Sequence, residues 1–104
     1  MLRNIFDSES LKKKVEEIKN ELEKEKIVAE SGGGMVKVRL NGLGEITNLE
    51  IEDGLFKGED KDMTEDLIVA AINKSKEKVK ELWQEKLKDF LGFLPLPGIN
   101  DLIT

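Results

Sequence analysis

Residues 35–40 alternate strictly: Val36, Val38 and Leu40 point one way, and Met35, Lys37 and Arg39 point the other. A period of two marks a strand with one face built for burial. Three consecutive glycines, Gly32, Gly33 and Gly34, stand before it, and Asn41, Gly42 and Gly44 follow, so a turn is predicted on each side. After the second turn Ile46, Thr47, Leu49 and Ile51 predict another strand, with Leu49 and Ile51 on one face. Ile27, Val28 and Ala29 predict a short strand that opens the meander. A two- or three-stranded antiparallel sheet is marginal alone and needs an element laid over its apolar face.

Both flanks of this meander have helical spacing. Leu11, Val15, Ile18 and Leu22 recur at intervals of four, three and four and predict a helix from Ser8 or Ser10 to about residue 25, either serine serving as the cap. Residues 63–91 predict a much longer helix. Its apolar stripe passes from Leu67, Ile68, Ala71 and Ile72 through Val79 and Leu82 to Trp83, Leu87 and Phe90. Trp83 keeps register with that stripe and reads as a packing residue, not a platform for a base. Between sheet and long helix, Leu55 and Phe56 are expected to plug the sheet edge, and Asp60 or Asp62 to cap the helix. The architecture is α+β: helix, short three-stranded antiparallel meander, long C-terminal helix. A chain of 104 residues makes one domain, with 92–104 as a proline-containing tail.

Composition narrows the chemistry. The chain has no cysteine and no histidine, which removes disulfides, thiolate nucleophiles, thiolate-bound zinc and the commonest neutral-pH base. Acidic residues between 52 and 66 lack the ordered ligand series of a calcium loop and are better explained as caps and loop charges. An enzyme is therefore not expected, and neither is a metal, cofactor or small-molecule substrate. No uncharged apolar run is long enough for a membrane span, and the first residues lack the apolar region of a secretory signal; a cytoplasmic protein is expected.

The net charge of −5 argues against bulk attraction to nucleic acid, so the distribution of positive charge decides the matter. Lys12, Lys13 and Lys14 form a triplet near the start of the first helix, where cations oppose the helix dipole. On the long helix the pairs Lys74/Lys78 and Lys76/Lys80 are four residues apart and repel, as suits a surface that meets an external polyanion. If the two helices run antiparallel, Leu11, Val15, Ile18 and Leu22 face Val79, Leu82, Trp83 and Leu87. The lysine triplet then lies close to Lys86 and Lys88, at the end of the pair farthest from the sheet. Such a tip touches phosphates without reading bases.

GGGMVKVRLNG at 32–42, the EI and LEIED run at 45–53 and MTEDLIVAAINKSKEK at 63–78 resemble, in order and spacing, the YbaB/EbfC family of bacterial nucleoid-associated proteins. The resemblance covers essentially the whole chain. It implies a cytoplasmic, nucleoid-associated homodimer shaped like tweezers that binds double-stranded DNA and contributes to nucleoid organisation or gene regulation. In that family the first and last helices meet DNA, which carries over here to Lys12, Lys13, Lys14, Lys19, Lys76, Lys80, Lys86 and Lys88. A competing reading takes the apolar tail as the working surface of a protein-interaction module that does not bind DNA.

Overall fold

Strand β2 (Val36–Leu40) is the middle of the fold, and its inward residues Val36, Val38 and Leu40 are almost wholly buried. A computed structural model describes residues 8–93. In chain order they form helix α1 (Ser8–Lys24), strand β1 (Ile27–Ser31), a tight turn over Gly32–Gly34, strands β2 and β3 (Ile46–Ile51), the one-turn helix α2 (Asp53–Phe56) and the long helix α3 (Lys61–Phe93). The glycine turn has positive φ at all three residues, which explains why side chains are avoided there. The tail from Leu94 onward lies outside the described residues, whereas Gly92 and Phe93 still belong to α3.

The sheet order is β1-β2-β3, antiparallel throughout. Register places Ala29 and Leu49 on either side of Val38, and Ser31 and Ile51 on either side of Val36, so one face of all three strands is apolar. Helix α3 covers that face over β1 and β2: Ala71 is fully buried, and Leu67, Ile68, Ile72, Val79 and Leu82 pack against the same core. Small residues at Ala71 and Ser75 let the helix approach closely, and the buried Ser75 hydroxyl donates back to Ile72 O. The Ser31 hydroxyl donates to Leu67 O and ties the end of β1 to the helix.

Strand β3 is left out of this cover. Ile46 is 53% exposed and Leu49 43%, although Leu49 stands in register with the buried Val38. The strand also carries an irregularity opposite Arg39 and Leu40, where Thr47 is the extra residue and its hydroxyl donates to Arg39 O.

One expected plug is corrected. Leu55 is buried, but Phe56 is 79% exposed. In a single helical turn consecutive residues point about 100° apart, so only one of the two can face the core. Asp60 supplies the cap for α3, its carboxylate accepting from the Met63 N–H at 2.9 Å.

Candidate nucleic-acid interface

Helices α1 and α3 run antiparallel, and two contacts fix their register. Lys86 Nζ donates to Glu21 Oε2 at 2.9 Å, and Lys14 Nζ lies 5.2 Å from the centre of the Phe93 ring. Seven residues forward on α1, from Lys14 to Glu21, match seven back on α3, from Phe93 to Lys86. The lysine triplet therefore stands beside the C-terminal end of α3, away from the sheet.

Nearer the sheet the pair is pinned at Gly42. Its N–H donates to Leu22 O at 2.7 Å, and its own carbonyl accepts from Trp83 Nε1 at 2.7 Å. A Cβ at this position would lie 2.6 Å from Leu22 O and 2.9 Å from Leu22 Cα, so only glycine allows the turn to wedge against the end of α1. Trp83 is a packing residue with a polar handle: half-exposed, it holds the β2–β3 turn against α3.

The lysines of α3 divide by helical row. Rows of residues four apart drift slowly around the axis, so Lys74, Lys78, Leu82 and Lys86 lie on one ridge and Lys76, Lys80, Gln84 and Lys88 on another. The first ridge faces the protein. Lys74 Nζ donates to Glu30 O at 3.2 Å, Lys78 Nζ to Val28 O at 2.6 Å, and Lys86 pairs with Glu21. Four residues of helix rise about 6 Å and two residues of strand about 6.8 Å, so alternate carbonyls along β1 match lysines one turn apart. Two lysines read from sequence as suited to a polyanion thus serve the edge of the protein's own sheet.

The second ridge faces solvent. Lys76, Lys80 and Lys88 are exposed, as are Lys12, Lys13 and Lys19 on α1, and none of these six has an ion pair among the described residues. Of the eight sequence-derived site residues, Lys14 and Lys86 are engaged within the fold; Lys14 also lies 4.0 Å from Glu17. The hydrogen bond and charge of Lys86 hold the Glu21 carboxyl below its ordinary value, and the bond from Glu21 raises Lys86 against a smaller opposing effect of burial.

The acidic stretch is at the other end. Asp62, Glu65 and Asp66 lie in the first turns of α3, and 20-odd residues of helix separate them from Lys88, roughly 35 Å. That is several Debye lengths at physiological salt, about 8 Å each, so those carboxylates act little on Lys88, and the nearer negative charges are Glu85 and Asp89 within a turn of it. Among the described residues no group of three or more acidic side chains is placed to hold a metal ion, and no helix is long and apolar enough to cross a membrane.

A small sheet under one long helix, with a second helix antiparallel to it and exposed lysines along both, defines an α+β class of protein built around an antiparallel helix pair. The chain belongs to the YbaB/EbfC DNA-binding family, whose model matches residues 3–94. The family is non-enzymatic, in keeping with a chain that has neither histidine nor cysteine. Among its relatives is a nucleoid-associated protein of Persephonella marina, 46% identical over 90 residues, which cover 85% of this chain and 81% of that one. Another, from a Sulfurihydrogenibium species, is 44% identical over 89 residues, covering 86% and 80%. The crystal structure of an uncharacterized protein from Helicobacter pylori superimposes with a TM-score of 0.74 at 31% identity, covering 80% of this chain and 87% of that one.

Proposed function

We propose that this single-domain protein acts as a homodimer that binds double-stranded DNA in the bacterial cytoplasm, through phosphates and with little reading of bases, and so helps organise the nucleoid. The observation that carries the reading is the exposed set Lys12, Lys13, Lys19 and Lys88 towards the shared end of two antiparallel helices, far from the acidic loop, with Lys76 and Lys80 exposed further along α3 towards the sheet. Lys14 and Lys86, each beside a glutamate, serve the contact by holding the two helices in place. Membership of a DNA-binding family and relatives named as nucleoid-associated support the same assignment.

The dimer rests on uncovered apolar surface. Ile46 and Leu49 on β3, with Phe56, Met63 and Val69, are large apolar side chains more than two-fifths exposed. The radius of gyration, 19.0 Å, compares with about 13 Å for a compact chain of this length. A second copy placed on β3 buries its core face and gives the assembly two cationic tips that can straddle a duplex.

The test is titration with duplexes of unrelated sequence over a range of salt. Log affinity should fall linearly with log salt, with a slope near ~0.9 for each phosphate neutralised, and different duplexes should bind within a modest factor. Replacing Lys12, Lys13, Lys76, Lys80 and Lys88 with glutamine should weaken all duplexes alike and flatten the slope. Unchanged affinity in a folded variant defeats the assignment of the tip. No binding by the parent protein at low salt would favour the protein-interaction reading.

A further inference from the structure

Asn41 and Gly42 form the only Asn-Gly pair in the chain. In such a pair the backbone nitrogen of the glycine can attack Cγ of the asparagine, because no Cβ on the second residue crowds the ring that forms. The N–Cγ bond forms as the Cγ–Nδ2 bond breaks; the glycine nitrogen gives up its proton, and the side-chain nitrogen leaves as ammonia. Water then opens the cyclic imide at either carbonyl. The product is aspartate or its β-linked isomer, in which the main chain runs through the former side chain.

The structure holds the side chain of Asn41 ready for this attack. Its Oδ1 accepts from the Leu43 N–H at 3.0 Å and from the Glu45 N–H at 3.1 Å, so two donors already point at the oxygen on which negative charge develops when Cγ is attacked. Nδ2, the leaving nitrogen, donates to Glu45 Oε1 at 2.8 Å. The nucleophile, by contrast, is engaged. The Gly42 N–H donates to Leu22 O at 2.7 Å, and Gly42 is buried, so its nitrogen faces α1 and is shut off from the water or hydroxide that must take its proton.

We infer that Asn41 is a deamidation site locked by the docking of α1: Leu22 O holds the Gly42 nitrogen, and the reaction runs only when the end of that helix lifts away. Leu22 is the one buried residue of α1 among those described, at 2% exposed, and the other ties of the helix, Lys86 to Glu21 and Lys14 to Phe93, lie between partly exposed side chains. A helix anchored in this way lifts more often than the sheet melts, so the reaction samples local opening. The chemistry then makes the opening one-way. The β-linked product lengthens the backbone between residues 41 and 42, where there is no slack: even a Cβ on Gly42 would lie 2.6 Å from Leu22 O. The α-linked product sets a carboxylate where Nδ2 met Glu45 Oε1, and the two like charges repel. Either product keeps α1 undocked, and Lys12, Lys13 and Lys19 lose their fixed place relative to α3.

The test ages the full-length protein in mildly alkaline buffer and follows each asparagine by peptide mapping and isoaspartate-specific methylation. Asn41 in the folded parent should convert at least about tenfold more slowly than in the parent unfolded by urea, the ratio reporting the fraction of time α1 is lifted. Leu22→Ala, which removes the buried anchor, should speed conversion of Asn41 at least about fivefold, while Asn48 and Asn73, neither followed by glycine, stay slow. A folded parent that converts as fast as the unfolded chain overturns the inference, and so does a folded Leu22→Ala no faster than the parent. If Leu22→Ala does not fold, urea below the unfolding midpoint of the parent replaces it: conversion should climb before the sheet melts, and conversion that rises only with global unfolding overturns the lock. The aged, more acidic species, purified by ion exchange, should show stronger acrylamide quenching of Trp83, whose indole bonds to Gly42 O; quenching equal to that of the parent overturns the one-way opening.

Discussion

Lys86 Nζ donates to Glu21 Oε2 across the gap between α3 and α1 at 2.9 Å, and it is the one ion pair that joins these helices among the described residues. Glu21 sits below its ordinary value of 4.5 in the fold, so its contribution to stability is present above that value and is lost as pH falls through the lowered one. Lys86 is raised, so its contribution is present below the ordinary lysine value of 10.5 and is lost as pH climbs past the raised one. Glu21→Gln should therefore lower the melting temperature at neutral pH, with the difference from the parent closing in acid. Glu21 is exposed and Lys86 only partly covered, so the effect will be small and weaker at high salt. A difference that persists unchanged well below pH 4.5 would show that Glu21 acts by packing.

Gly42→Ala should be costly for a substitution of one methyl group. The added Cβ meets Leu22 backbone atoms that cannot swing aside, and overpacking of this kind destabilises by about 1–3 kcal/mol. Trp83→Phe, which leaves the Gly42 carbonyl without the indole donor, should cost about 1–2 kcal/mol. Urea unfolding followed by circular dichroism measures both. If Gly42→Ala were neutral, the three-way junction of α1, turn and α3 would not be tight.

The two lysine ridges of α3 should separate in experiment. Replacing Lys74 and Lys78 with glutamine should reduce stability by roughly 0.5–1.5 kcal/mol per lost bond while changing DNA affinity little. Replacing Lys76 and Lys80 should do the reverse. Parallel salt titrations and denaturation curves decide the matter, and identical profiles for the two pairs would refute the division.

Leu49→Asp should separate the dimer. Leu49 is 43% exposed, so covering it takes about two-fifths of a leucine side chain out of water, ~0.6–1.3 kcal/mol; a two-fold interface uses it twice and would also have to bury the aspartate, so the dissociation constant should rise by at least about tenfold. Sedimentation equilibrium at micromolar concentration should give a dimer mass for the parent and a monomer mass for the variant. A monomeric parent would remove the dimer from the proposal.

Local patterning carried most of this fold into view. The alternation of Val36, Val38 and Leu40 marks the central strand because each residue's direction follows from its immediate neighbours, and the antiparallel helix pair follows from two apolar seams on either side of a short meander. What escaped was whatever depends on a distant partner. Lys74 and Lys76 look alike in sequence, yet one reaches Glu30 O and the other faces solvent, because only the packing of α3 over β1 separates their ridges. Phe56 follows Leu55 with equal apolar character, and the single turn of α2 chooses between them. Gly42 reads as a turn residue with freedom of φ, but it is required for the close approach of Leu22, a contact no local pattern records.

The two lysines that α3 lays along β1 also bear on how many copies of the chain could join in the proposed assembly. A three-stranded sheet has two borders, each able to template another strand. Along β1, Lys74 and Lys78 occupy alternate backbone acceptors, whereas no side chain among the described residues donates to the backbone of β3. With one border occupied and the other available, the homodimer proposed above would be monovalent in strand addition: a second copy could join at β3, and a third would find no border to extend. Growth would then stop at a closed pair instead of running on into a fibre, a useful property for a protein whose partner is itself a long polymer.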